Sequence, residues 1–257
     1  MTCQATGPNI AGVTSATLPS AVSAWDEPTG LRPRGTLIVL TGRGEPTTVY
    51  GRFGRRLAAD AYRVRVVETR LDDLEATRRE VAALIDDPDL PRPKVLVGSD
   101  AGAAYAPLLA EALEVDAVVL AGVALDSGQQ TVPNWDEELE ARTACPAHRG
   151  VLTDEAAFDR GRLAEPLPER LAGAQRPAAV PTLVIHGDAD PVTAPASVLE
   201  AFGSAVLVAE GRHDILNDVT HRSVAATIVL FLERLRLGAE LPLIVRDASA
   251  REPRHAR

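Results

Sequence analysis

The 257-residue chain is predicted to be an α/β protein, with a mostly parallel central sheet, helices on both faces and a small cap insertion. Three observations carry this. Short apolar, β-rich runs recur along the chain, each followed by a glycine or polar turn and then an amphipathic stretch. The runs are apolar throughout and do not alternate with polar residues, which is the pattern of strands buried on both faces. One segment, residues 126–176, breaks the rhythm and is rich in Pro, Asp, Glu and Arg.

In order, residues 35–41 form the first apolar run, closed by the turn Gly42-Arg43-Gly44. Residues 55–61 read as the end of a helix and residues 62–67 as the next strand. Over residues 71–85, Leu71, Leu74, Val81, Leu84 and Ile85 share one face at helical spacing. Residues 95–97 lead into a second glycine turn, and residues 103–113 continue as an alanine-rich helix. Further strands are expected at 115–121, where Val118, Val119 and Leu120 are unbroken, at 181–186 and at 205–209. The last helix spans about 224–235, with Ile228, Phe231, Leu232 and Leu235 together. Residues 126–176 are expected to lie as a cap over the carboxyl ends of the strands, and 238–257 to form a loosely docked tail. The whole of 1–257 reads as one domain.

Composition narrows the partners. A hydrophobic fraction of 46% with 25% charged residues is that of an ordinary globular domain. The net charge of -9 argues against nucleic acid or an anionic membrane as partner and leaves a small molecule as the expected one. Lys94 is the only lysine. Two cysteines, Cys3 and Cys145, make no disulfide framework or zinc pattern, so no metal is expected, and nothing calls for an organic cofactor. Residues 1–24 lack the pattern of a signal peptide, and no apolar run reaches the ~20 residues of a membrane span. The expected location is the cytoplasm. Oligomeric state is not legible.

In an open parallel sheet, ligands bind beyond the carboxyl ends of the strands, so the turns there carry the chemistry. Residues 98–102 read Gly-Ser-Asp-Ala-Gly, with glycines two before and two after Asp100. That spacing suits a tight strand-to-helix turn that thrusts its central side chain outward, since a Cβ at either glycine would collide with a neighbouring element. Reading Ser99 as the central residue puts both glycines out of place. A helix cap is the plain alternative for Asp100. Two later turns add an acid and a base: His186-Gly187-Asp188-Ala189-Asp190-Pro191-Val192, then Glu210-Gly211-Arg212-His213-Asp214.

The chain resembles α/β-hydrolases of the monoglyceride lipase and lysophospholipase type over most of its length. The order nucleophile, acid, histidine is theirs. Thr41-Gly42-Arg43-Gly44-Glu45 resembles their oxyanion turn, with Thr41 in place of a histidine; residues 186–192 resemble their acid turn and residues 213–217 their histidine segment. At the elbow, Asp100 stands where they carry serine, and this resembles epoxide hydrolases and haloalkane or haloacid dehalogenases of the same fold. The resemblance implies Asp100 as nucleophile, His213 as the base that activates water, and Asp190, ahead of Asp188, as its acid. It implies the backbone N–H groups of Arg43 and Ala101 as oxyanion donors. Arg43 also places a cation at the site. His186 reads as structural, and His221 and His255 as solvated. Ser99, Trp135, Cys145, His148 and Arg149 are candidate substrate contacts.

The accessory residues of both subfamilies are incomplete. The tyrosines are Tyr50, Tyr62 and Tyr105, none in the cap, and Ala101 follows Asp100 where haloalkane dehalogenases carry tryptophan. The expected function is hydrolysis of an epoxide or carbon–halogen bond through an ester on Asp100. The alternatives are an esterase with Asp100 as base, a lyase or cyclase, and a non-catalytic binding protein.

Overall fold

A computed structural model describes residues 23–125, 134–172 and 176–246. Its strands in chain order are β1 (Ser23–Trp25), β2 (Gly35–Leu40), β3 (Tyr62–Val67), β4 (Lys94–Asp100), β5 (Ala117–Val123), β6 (Thr182–Gly187) and β7 (Val206–Val208). They form one sheet in the order β1-β3-β2-β4-β5-β6-β7, parallel except for β1, which runs antiparallel to β3. Between them come α1 (Gly51–Ala59), α2 (Leu74–Asp86), α3 (Ala101–Ala112), α4 (Trp135–Arg142), α5 (Pro146–Asp154), α6 (Glu169–Ala172), α7 (Pro195–Phe202) and α8 (His221–Leu237).

The unbroken apolar runs follow from this layering. Successive strand residues face opposite ways. Leu37, Val39, Val64, Val66, Val95, Val97 and Val119 pack with Phe53 and Leu57 of α1 and Ile228, Phe231 and Leu232 of α8. Their neighbours Ile38, Leu40, Leu96, Val118 and Leu120 pack on the other face with Val81 of α2, Leu109 of α3 and Val198 of α7. Both faces are covered, so neither can be polar.

The boundaries differ from the sequence pattern where caps or short elements decide them. β1 has only three residues and no periodicity to betray it. α1 begins at Gly51, behind a 3-10 turn over Thr47–Tyr50. Leu71 lies outside α2, whose start is set by Asp73, its side chain accepting from the Ala76 N–H at 2.9 Å. β4 runs on to Asp100 and α3 starts immediately after it.

Between β5 and β6, the described residues carry α4, α5, a 3-10 turn at Arg162–Ala164, and α6. This segment sits against the turn after β2: Asp159 N–H donates to the Gly44 carbonyl at 2.9 Å, and Thr48 donates to Glu155 at 2.6 Å. Residues 126–133 and 173–175 of the expected cap lie outside the described residues, as do 247–257 of the tail. The rest of the tail has no regular element; Arg234 Nε holds the Leu241 carbonyl at 2.9 Å, and Leu243 and Val245 are exposed. Among the described residues, no helix is long and apolar enough to cross a membrane.

Lys94 has a structural task. Its ammonium, an all-donor group with three N–H, donates to the carbonyls of Leu84 (3.2 Å), Ile85 and Asp87 (2.7 Å) at the end of α2. Those are the carbonyls a helix C-terminus leaves unsatisfied, and the cation also opposes the helix dipole. Lys94→Met is therefore expected to cost about 1–3 kcal/mol, read as a lower urea midpoint at unchanged slope. An unchanged midpoint would show that water serves those carbonyls equally well.

Candidate active site

The turn from β4 into α3 forces Asp100 into a conformation that L-residues avoid. Its φ is 51° and ψ is -115°, worth about 1–3 kcal/mol of strain. The flanking glycines make the turn possible. A Cβ on Gly98 would sit 2.4 Å from the Ala103 backbone, and one on Gly102 2.4 Å from the Leu40 carbonyl oxygen.

The strained turn aims a carboxylate with no solvent exposure at three other chain segments. Asp100 Oδ2 accepts from the Arg43 backbone N–H at 2.7 Å and from Arg43 Nε at 2.9 Å. Oδ1 accepts from Arg43 Nη2 at 2.8 Å and from His213 Nε2 at 3.0 Å. A carboxylate has about four lone-pair sites, so this one is saturated. On its far side, His213 Nδ1 stands 2.8 Å from Asp190 Oδ2. Asp190 is held in turn, its Oδ1 accepting from the Val192 and Thr193 N–H groups.

Electrostatics follow the geometry. Burial pushes the Asp100 carboxyl up, but the Arg43 guanidinium and His213 outweigh it and hold the group well below the usual carboxylate range. Burial pushes His213 down, yet Asp190 and Asp100 on its two nitrogens raise it to about 10. Burial also raises Asp190, and His213 brings it below its ordinary value. The resting site is thus two carboxylates, one imidazolium and one guanidinium, with no net charge.

A second buried cluster supports the turn after β2. Arg142 Nη2 donates to the Arg43 carbonyl at 2.7 Å and to Glu138 Oε1 at 2.8 Å, while Nη1 reaches Glu45 at 2.8 Å. Glu45 Oε2 accepts from the Gly42 N–H at 3.1 Å and from the Tyr50 hydroxyl. Burial, then the neighbouring Asp214, push Glu45 up to about 8. Asp214 is also raised, by burial against the opposing pull of Arg142, 3.7 Å away. His148 completes the cluster 3.5 Å from Asp214, and burial lowers it to about 4, so it is a neutral ring.

No protein-family model matches the chain, and no curated protein matches it in sequence. Solved structures do match it in shape. A monoglyceride lipase from Saccharomyces cerevisiae superposes with a TM-score of 0.62 at 14% identity, over 89% of this chain and 99% of that one. A monoacylglycerol lipase from Paleococcus ferrophilus gives 0.63 at 14% identity, over 84% and 98%. An enol-lactonase from Burkholderia xenovorans gives 0.56 at 18% identity, over 82% and 95%.

The chain has the α/β-hydrolase fold. On this α/β-hydrolase scaffold the three residues singled out as nucleophile, base and acid lie in one hydrogen-bonded row. The competing acid, Asp188, is exposed and accepts from the Glu210 N–H at 2.6 Å instead. Ala101 is the buried first residue of α3.

The expected substrate contacts have internal partners. Ser99 is buried and bonds to Tyr50. Trp135 packs on Phe158, ring centroids 5.3 Å apart, beneath Arg160. Arg149 Nε closes on the Thr143 carbonyl at 2.8 Å, Cys145 Sγ faces Arg52, and His148 belongs to the Arg142 cluster. Each of the five thus has a packing or polar contact within the fold. His221 is half-buried, with Nδ1 on the Asp218 carbonyl, and His255 lies outside the described residues.

His186, read from the sequence as structural, lies with Nε2 2.8 Å from the Thr193 carbonyl and 3.1 Å from Asp190 Oδ2. Sequence reasoning missed two other contacts. The Arg43 side chain grips Asp100, where a backbone role and a loosely placed cation were foreseen. Arg142 was not singled out at all; its one signal was an arginine and a glutamate four apart in an otherwise weakly patterned helix. Among the described residues, no group of three or more His, Cys, Asp or Glu side chains is arranged to hold a metal ion.

Two tests follow. Because His213 is raised from 6.5 to about 10 in the fold, its contribution to stability is complete below about pH 6.5 and is lost as pH rises through about 10. Wild-type unfolding free energy should fall across that window, and His213→Gln should flatten the fall; a wild-type profile that climbs there contradicts the imidazolium. Arg142→Met, which strands buried carboxylates, should cost about 3–5 kcal/mol in urea denaturation. A neutral substitution would mean that the cluster protonates at no cost.

Proposed function

We propose that this chain is a hydrolase that opens a carbon–halogen bond or an epoxide in a small organic molecule, through a covalent ester on Asp100, in the cytoplasm. The supporting observation is the seating of the Asp100 carboxylate: one oxygen on the Arg43 backbone N–H, the other facing a histidine backed by Asp190.

In the first step a carboxylate oxygen of Asp100 attacks an sp3 carbon. The new C–O bond forms as the bond to halide or epoxide oxygen breaks, and the leaving group takes the electron pair. The halide departs as such, and His213, no longer facing an ionised Asp100, gives its proton to solvent; an epoxide's alkoxide takes that proton instead. In the second step water attacks Cγ of the ester, and neutral His213 accepts its proton. The Arg43 N–H, on the oxygen that gains charge, stabilises the tetrahedral intermediate, with the Ala101 N–H as the second donor of this proposal. Collapse expels the alcohol and restores the carboxylate.

The direction of the Asp100 shift favours this scheme over base catalysis. A carboxyl held well below its ordinary range is a poor proton acceptor, which weighs against Asp100 as the base of an esterase, lyase or cyclase. A carboxylate that attacks carbon needs only to be ionised, and this one is. A non-catalytic reading draws on a different observation: the carboxylate is saturated and wholly buried in the resting fold.

The deciding experiment runs epoxides, haloalkanes, haloacids and p-nitrophenyl esters against wild type and His213→Gln, with intact-protein mass spectrometry. The expected result is a mass gain on the Asp100 peptide in His213→Gln, turnover in wild type, and neither in Asp100→Ala. Ester turnover without an adduct would overturn the covalent step, and silence on every compound would support the binding role.

A further inference from the structure

Asp190 faces more than its catalytic partner. Its Oδ1 accepts from the Val192 and Thr193 N–H groups, so the turn after β6 already fixes the direction of the carboxylate. Its Oδ2 stands 2.8 Å from His213 Nδ1 and 3.1 Å from His186 Nε2. His186 lies on β6, four residues before Asp190, and neither side chain has any solvent exposure.

The surroundings decide where the His186 proton sits. Nε2 is 2.8 Å from the Thr193 carbonyl, which can only accept, and beside a carboxylate oxygen. A bare nitrogen there would crowd three acceptors together, so Nε2 carries the proton. Nδ1 is buried with no partner among the described residues, and burial holds the ring below its ordinary value of 6.5. The ring is therefore neutral, with its N–H directed at Thr193 and the positive end of that dipole against the Asp190 oxygen that His213 uses. Around His213 itself the charged and titratable groups are Asp100, Asp190, His186 and Asp214, with Arg43 across Asp100. A donor edge on a shared oxygen draws on the charge that this oxygen offers its other partner.

We infer that His186 is a positioning residue acting through Asp190: it sets its Nε2–H against the oxygen that faces His213 and limits how tightly that carboxylate holds the His213 proton. Because the turn already aims the carboxylate, His186 adjusts its charge and not its direction. The adjustment matters most when Asp100 is an ester. His213 then rests on Asp190 alone, and it must be free of its proton to accept one from water. This consequence for the second step rests on the covalent reading above; the effect of His186 on His213 does not.

The test uses Asp100→Asn, which gives position 100 the neutral charge of the ester, and follows the ¹⁵N resonances of His213 through a pH titration. In that background His186→Phe, which keeps a ring and loses the donor, should raise the His213 midpoint by about half a unit, an about threefold gain in proton affinity. His186→Gln, whose amide nitrogen can reach the place of Nε2, should return the midpoint to its value with His186. An unmoved midpoint in a folded His186→Phe protein would reduce His186 to packing, and a lowered one would mean that Asp190 had swung away; either overturns the inference. Wild type supplies a reading that needs no substitution: the His186 ¹⁵N resonances should place the proton on Nε2, and a proton on Nδ1 overturns it as well. With a compound that loads Asp100, quenched reactions of His186→Phe should show the ester forming at the wild-type rate and hydrolysing about threefold more slowly below the midpoint, in proportion to the neutral imidazole lost. A raised midpoint with no adduct from any compound upholds the role of His186 and overturns the covalent chemistry. Adducts together with an unmoved midpoint do the reverse.

Discussion

A carboxylate fixed at the tip of a buried strand, with no access to water, is an expensive thing to fold around. Asp100 cannot turn away, because the strained elbow and the tight packing at Gly98 and Gly102 set its direction. The fold must therefore bring positive charge to it. It does so from two sides: Arg43 arrives on the turn after β2, and His213 on the turn after β7. Both segments sit at the carboxyl ends of parallel strands, where turns converge. The ion pair is therefore a condition on the relative placement of β2, β4 and the 210–214 turn. An arginine meets that condition better than a lysine, since its fork covers both oxygens at once.

The same logic propagates one layer outward. Once Arg43 is committed to Asp100, the turn that carries it needs its own support, and Arg142 gives it by binding the Arg43 carbonyl, Glu45 and Glu138 together. Arg142 also faces Asp214, the residue next to His213. One guanidinium thus ties the turn after β2, α4 and the turn that carries His213 into a single polar body. Three carboxyls around one guanidinium would leave excess negative charge. Burial answers that excess by raising Glu45 to about 8 and Asp214 above its ordinary value, against the pull of Arg142.

Much of this was legible in the residues, and the part that was not has a physical cause. Parallel strands buried on both faces leave a continuous apolar signature, so β2 to β6 could be read from local composition. The elbow was legible because only glycine tolerates a backbone 2.4 Å from a would-be Cβ, and the acid and histidine turns followed from order and spacing. β1, at three residues, is too short for any period to register. The roles of Arg43 and Arg142 depend on contacts 57 and 97 residues apart, with Asp100 and with Glu45. An arginine in a polar stretch has the same local signature whether it meets solvent or a buried carboxylate. For the same reason Trp135, His148 and Arg149 read as free contacts, although Phe158 and the Thr143 carbonyl within the segment and Asp214 outside it take them up.

The charge balance that stabilises the resting site also sets the order of events in the proposed chemistry. While Asp100 is ionised, His213 sits between two carboxylates and keeps its proton, so it cannot serve as base. Ester formation removes one of those two charges. The imidazolium then rests on Asp190 alone, its affinity for the proton falls, and it can release that proton and accept one from water. The histidine is thus unable to activate water before there is an ester to hydrolyse. Asp190 survives both states because its second oxygen is held by two backbone N–H groups, independent of His213. The buried ion pairs therefore couple nucleophile and base: the first must lose its charge before the second can act.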